Sequence, residues 1–123
     1  MTVFSISNIE PMVFPTKRET RVMIGEKGII KETSFSQGFV KILPGGSIPP
    51  HSHSNTESYT VLSGKGVFSL EKETRILKEG DFVLIEKGKL HGLFNDGNVV
   101  MTLMFVYTPG NSVGHWEEEL KEN

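Results

Sequence analysis

The sequence contains no cysteine. A disulfide framework, thiolate zinc sites and cysteine nucleophiles are therefore excluded. No apolar run comes near the roughly 18 residues that a membrane-spanning helix requires. Basic residues (13) and acidic residues (15) nearly balance, and no Lys/Arg stripe with interleaved aromatics marks a nucleic-acid surface. The first residues, Met1-Thr2-Val3-Phe4-Ser5, lack the basic stretch and the long apolar stretch of a signal peptide. The expectation is a cytoplasmic protein with no nucleic-acid or membrane partner. The 123 residues suffice for one domain with one core. A 37% hydrophobic content with mixed charges places the chain among globular rather than disordered sequences.

What is present is a series of short apolar runs cut by turn residues. Arg21–Ile24 stops at Gly25, and Phe39–Leu43 stops at Pro44-Gly45-Gly46. Ser58–Leu62 ends in Ser63-Gly64-Lys65-Gly66, a tight-turn sequence, and Val67–Leu70 and Thr74–Leu77 follow. After Glu79-Gly80-Asp81 come Phe82–Ile85, His91–Phe94 and Val99–Tyr107. Many short strands separated by Gly/Pro turns predict an all-β sandwich or barrel. Residues 1–19, punctuated by Pro11 and Pro15, read as an N-terminal arm with room for one short strand. Residues 20–110 read as the barrel. In the tail, residues 111–123, Trp116 and Leu120 fall on one helical face and Glu117 pairs with Lys121 at i, i+4. This predicts a short C-terminal helix.

Three of the four histidines are His51, His53 and His91. His51 and His53 are one residue apart, and Glu57 follows four residues later. Imidazole and carboxylate are the ligands of divalent metals. On an extended segment His51 and His53 point to one face, whereas a helix would splay them. The pair makes chemical sense only on a strand, and the surrounding sequence reads as strand. The fourth histidine, His115, lies beside Trp116 and is assigned to packing or surface. Gly45-Gly46 is a turn and no phosphate loop, because no helix and no Lys-Ser/Thr follow it.

Two longer patterns frame these residues. The first is Gly45, five residues, His51, one residue, His53, three residues, Glu57, six residues, Gly64. The second is Gly80, five residues, Glu86, one residue, Gly88, two residues, His91, three residues, Asn95. Together they resemble the two motifs of the cupin superfamily, in the right order and with a short intermotif gap typical of small single-domain metal-binding cupins. One position departs: Glu86 stands where the second motif usually has proline, in a turn. The resemblance implies a jelly-roll cupin barrel, also described as a double-stranded β-helix. It implies that His51, His53, Glu57 and His91 bind one divalent transition metal ion inside it, with Fe, Mn, Ni, Zn, Co and Cu all compatible with the ligands. It also implies a homodimer, with the N-terminal arm reaching towards the partner.

Strand parity then predicts the inward face. Tyr59 and Val61 share the face of Glu57, and Leu93 shares that of His91. Val40 and Ile42 point inward, and Lys41 points to solvent. Tyr59 is the polar member of an otherwise apolar pocket, either a wall residue or a catalytic acid/base. No face is assigned in Met101–Tyr107, where both parities are apolar. The function implied is a mononuclear metal enzyme, dioxygenase-like or sugar isomerase/epimerase-like, acting on a small oxygen-rich metabolite. The alternatives are a non-catalytic metal-assisted binding or sensing protein, and a protein whose metal is purely structural.

Overall fold

The computed structural model describes residues 1–110. The helix expected in 111–123, with His115 and Trp116, lies outside the described residues. Among those described, a 3₁₀ turn (Ile6–Asn8) precedes ten strands. These are β1 (Met12–Phe14), β2 (Arg18–Ile24), β3 (Ser36–Ile42), β4 (Ser47–His51) and β5 (Thr56–Ser63). They continue with β6 (Lys65–Leu70), β7 (Glu73–Lys78), β8 (Phe82–Ile85), β9 (His91–Phe94) and β10 (Met101–Thr108). Six form one sheet in the order β1-β2-β3-β10-β5-β8, and four form a second in the order β4-β9-β6-β7. Neighbouring strands pair antiparallel throughout. This is the all-β jelly roll that the turn spacing and the two motifs predicted. No helix among the described residues is long and apolar enough to cross a membrane.

Period-two alternation explains why each strand buries one face. Ser36, Gly38, Val40 and Ile42 of β3 are inside, with Gln37, Phe39 and Lys41 between them on the outer face. On β10 the inward set is Met101, Leu103, Phe105 and Tyr107, which settles the parity that the sequence left open. Gly38 lies opposite Phe105 in the β3–β10 ladder, and a Cβ there would run into the Phe105 ring. Glycine is thus the residue that lets this aromatic fill the core. Gly64 takes a positive φ of 77° in the β5–β6 turn, as the Ser-Gly-Lys-Gly sequence predicted.

β2 begins at Arg18, three residues before the apolar run that predicted it, because its first inward residues are polar. Arg18 is only 2% exposed, and Thr20 is buried beside it. The Arg18 guanidinium stacks 3.9 Å over the Phe14 ring, which makes its burial tolerable. β1 falls in the segment read as an arm and pairs with β2 over Met12–Phe14.

β4 carries Pro49 and Pro50, which lack the N–H that a central strand needs. It is accordingly the outer strand of its sheet. Its register with β9 shifts between Ile48 and His51, and the strand ends at His51. His53 therefore sits in the β4–β5 connection, not on a strand as expected.

Candidate metal centre

The two sheets bring together the four residues named from the sequence. His51 closes β4 and His91 opens β9, and the two are register partners. Glu57 enters from β5 of the opposite sheet, and His53 from the connection between β4 and β5. Donor atoms of His51, His53, Glu57 and His91 all lie within 4.8 Å of one another. Ring centroids are 4.3 Å apart for His51–His91, 5.1 Å for His53–His91 and 5.5 Å for His51–His53. His91 is 1% exposed and Glu57 6% exposed.

The motif glycines and asparagine hold these elements in place. The Gly88 N–H donates to the His53 carbonyl at 2.8 Å, docking the β8–β9 loop against the β4–β5 connection. At the far end of β9, Gly45 N–H donates to the Asn95 carbonyl, and Asn95 N–H donates to the Gly46 carbonyl, both at 2.9 Å. The two sequence patterns are thus hydrogen-bonded to each other at both ends of the barrel. Glu86, the departure from the second pattern, is an exposed turn residue whose carbonyl accepts from Lys89 N–H at 3.2 Å.

Hydrogen bonds fix the direction in which two imidazoles present their lone pairs. His51 Nδ1 lies 2.8 Å from the Pro49 carbonyl, and His91 Nδ1 lies 2.9 Å from the Lys89 carbonyl. A carbonyl only accepts, so Nδ1 carries the proton in each ring. That leaves each Nε2 as an unprotonated donor atom in the neutral imidazole, the arrangement outer partners impose on metal-binding histidines. His53 Nε2 lies 3.1 Å from Glu57 Oε1, and His91 Nε2 lies 3.3 Å from the same oxygen. The His91 nitrogen is buried, and the contact lacks hydrogen-bond geometry. A buried acceptor nitrogen aimed at a carboxylate without bonding to it is what a cation between them would satisfy. The donor set therefore fits a divalent transition metal, with three imidazoles and one carboxylate as candidate ligands.

The protonation states agree with that fit. Burial pushes the His51 imidazole down to about 4, with the neighbouring His91 and His53 adding to the effect. His51 is therefore neutral at pH 7. Burial tends to raise the Glu57 carboxyl, but in the metal-free protein hydrogen bonds and positive charge from His53 and His91, when those rings carry a second proton, outweigh it and hold it below its ordinary value. Glu57 is therefore ionised.

These shifts set an acid limit for the metal-free protein. A histidine that resists protonation when folded contributes its full stability above its unfolded value of 6.5, and loses it as pH falls towards the folded value of about 4. The loss across that window is up to about 3 kcal/mol. Glu57 acts in the same direction below its unfolded value of 4.5. Urea midpoints of chelator-treated protein are expected to fall steadily from pH 6.5 to pH 4; a flat profile would contradict the burial of a neutral His51.

Tyr59, Val61 and Leu93 are buried on the inward faces that parity predicted, as are Val40 and Ile42. The Tyr59 ring packs edge-on against His91 and against Phe68, with centroids 6.0 Å apart in each case. It stands beside the cluster, between it and the wall formed by β6. Sequence reasoning missed Tyr107. This residue is the register partner of Glu57, and its ring centroid is 6.4 Å from that of His53. Burial and the nearby Glu57 carboxylate raise its phenol above the ordinary tyrosine value, against a hydrogen bond with Ser36. Asn55 was missed too. It is buried, and its Nδ2 donates to the Pro109 carbonyl at 2.7 Å, anchoring the connection that carries His53. No periodicity signals it, because it lies outside the strands.

Comparison with known proteins places this geometry. The sequence matches the cupin domain family over residues 38–107, which includes all four cluster residues. It is 31% identical over 114 residues to an uncharacterized protein of Aquifex aeolicus, covering 89% of this chain and 90% of that one. Its structure is similar to that of KdgF from Halomonas sp., with a TM-score of 0.78 and 17% identity over 91% of this chain and 96% of the other. It is also similar to a predicted oxalate decarboxylase from Thermotoga maritima, with a TM-score of 0.75 and 24% identity over 86% of this chain and 97% of the other. At these identities the structural likenesses speak for the fold alone. The matched residues carry both motifs and the three-histidine, one-glutamate cluster, and the chain belongs to the cupin domain family.

Proposed function

We propose that this chain is a mononuclear metal enzyme acting on a small oxygen-rich metabolite by oxygenase-like or isomerase/epimerase-like chemistry. The observation that carries this reading is the cluster of half-buried His51 and His53 with buried Glu57 and His91, the Nε2 atoms of His51 and His91 being unprotonated towards it. These four residues would hold one divalent transition metal ion. Such an ion supplies Lewis acidity towards an oxygen function of the substrate and, if redox-active, electron transfer.

The chain's own groups supply the rest. Three neutral imidazoles and one carboxylate donate a single negative charge, so a bound divalent ion keeps a net positive charge with which to attract an oxygen ligand. Tyr59 packs on His91 from the interior side and limits how the ring can turn. Tyr107, the register partner of Glu57, keeps its proton at neutral pH and hydrogen-bonds with Ser36.

A catalytic site needs a ligand position open to exchange, whereas a structural site is closed. Elemental analysis of protein purified without chelators should find about one transition metal per chain. Water-proton relaxation of the Mn-loaded protein should rise well above that of the metal-free protein. A metal that leaves relaxation unchanged would support a closed structural site and sink the enzymatic reading. Oxygen uptake and sugar isomerisation assays with the loaded protein then separate the two chemistries.

A further inference from the structure

The two sheets part along one side. β7 and β8 are the terminal strands of their sheets, and no ladder joins them. The Glu79-Gly80-Asp81 turn between them is tied to β5, with Val61 N–H donating to Asp81 and Gly80 N–H donating to the Val61 carbonyl. The gap is therefore closed at the turn and open towards the other end. It holds a cavity of about 270 Å³ lined by Phe68, Leu70, Leu77, Val83, Glu73 and Arg75, with Leu84 at its edge. That volume is at the small end for ligand sites, whose usual range starts at about 300 Å³.

Register relates this cavity to the cluster. Leu70 pairs with His91 on one side and with Glu73 on the other, so Glu73 stands level with the histidines. Ile85 stands level with Glu57, and Val83 with Tyr59. Arg75 pairs with Phe68, whose ring packs on Tyr59, which in turn packs on His91. Arg75 is thus one inward position away from the cluster level, about 7 Å along the strand. Among the described residues Arg75 has no carboxylate partner, although Glu73 is two residues away.

We infer that this cavity binds a small organic carboxylate with an apolar body. Arg75, exposed at the mouth, takes the carboxylate, and Phe68, Leu70, Leu77 and Val83 line the floor on which the body rests. Arginine's planar fork matches a carboxylate in two parallel hydrogen bonds, and the apolar side chains beside it take up the ligand's body. Glu73 on the same wall makes the site favour a singly charged acid over a dianion such as a phosphate ester. The inference goes beyond the enzymatic reading: none of the four cluster residues lines the cavity, so it is a binding site in its own right, on the other side of Phe68 and Tyr59 from the cluster.

The test is calorimetric titration of the metal-loaded protein with phenylacetate and with its neutral counterpart, 2-phenylacetamide. Phenylacetate should bind at least tenfold more tightly than the amide. R75Q should abolish that preference while keeping the amide affinity, and R75K should restore part of it. E73Q should tighten phenylacetate binding, because a repelling charge is removed. Equal binding of acid and amide, no binding of either, a preference that survives R75Q, or weaker acid binding in E73Q would each overturn the inference. Metal content measured on the same samples keeps the two readings apart. An Arg75-dependent preference in protein that holds no metal would leave the inference standing and remove the enzymatic reading. Stoichiometric metal without any preference would do the reverse.

Discussion

His91→Ala should leave the purified protein without stoichiometric metal, whereas the wild type retains it through gel filtration. His91 is the most enclosed of the four cluster residues and the register partner of His51. Its Nδ1–H is committed to the Lys89 carbonyl, so its Nε2 is already oriented before any ion arrives. Removing it takes one of four donors and the pre-orientation together. Loss of a mere outer partner costs about 10–100-fold in metal affinity, and loss of a donor should exceed that. His51→Ala should behave alike, since its ring is fixed by the Pro49 carbonyl in the same manner. Elemental analysis and competitive titration with a chromophoric chelator would measure both. Full metal content in both variants would show that the cluster is not the binding site.

Asn95→Ala should lower the melting temperature by roughly 10 °C while leaving metal content unchanged. Asn95 is fully buried at the end of the barrel away from the cluster. Its Nδ2 donates to the Ile42 carbonyl at 2.9 Å and to the Val99 carbonyl at 2.8 Å, and its Oδ1 accepts from Gly97 N–H at 3.0 Å. One amide thereby joins β3 of the six-stranded sheet to the end of β9 in the four-stranded sheet. It also closes the turn that leads to β10. Alanine leaves the Ile42 carbonyl buried without this donor, and each such group costs about 1–3 kcal/mol. A total near 3 kcal/mol corresponds to the shift stated, for a domain of this size. The backbone bonds of residue 95 to Gly45 and Gly46 survive the substitution, so the variant should still fold. Calorimetry at pH 7 measures it, and an unchanged midpoint would show that solvent or a neighbour replaces the amide.

The sequence announced its strands wherever apolar residues alternate between turn signals. Phe82–Ile85 and His91–Phe94 lie as expected, to the residue. It was less legible where polar residues are buried. Arg18 and Thr20 open β2 inside the core, a position that periodicity reads as surface. The burial of Arg18 is supported by Phe14, a stacking partner from a neighbouring strand. The strand expected around His51 is β4, and it accommodates Pro49 and Pro50 because it is the outer strand of its sheet. The placement of His53 shows the same limit. Its spacing from His51 implied a shared strand face, yet the strand stops at His51 and the Gly88–His53 hydrogen bond holds the following loop.

By itself the sequence determined the fold class and the four metal-site candidates. Turn chemistry and alternation are local properties, and the His51, His53, Glu57 and His91 spacing is written in two short segments. Only the tertiary structure decided which further groups stand beside the cluster. Tyr107 lies 50 residues from Glu57 in the chain, and the β5–β10 register makes them neighbours. Arg75 is exposed, and the parting of β7 from β8 sets it at the mouth of a cavity that no local pattern marks. Both depend on long-range pairing, in which a shift of one residue would send each side chain to the opposite face.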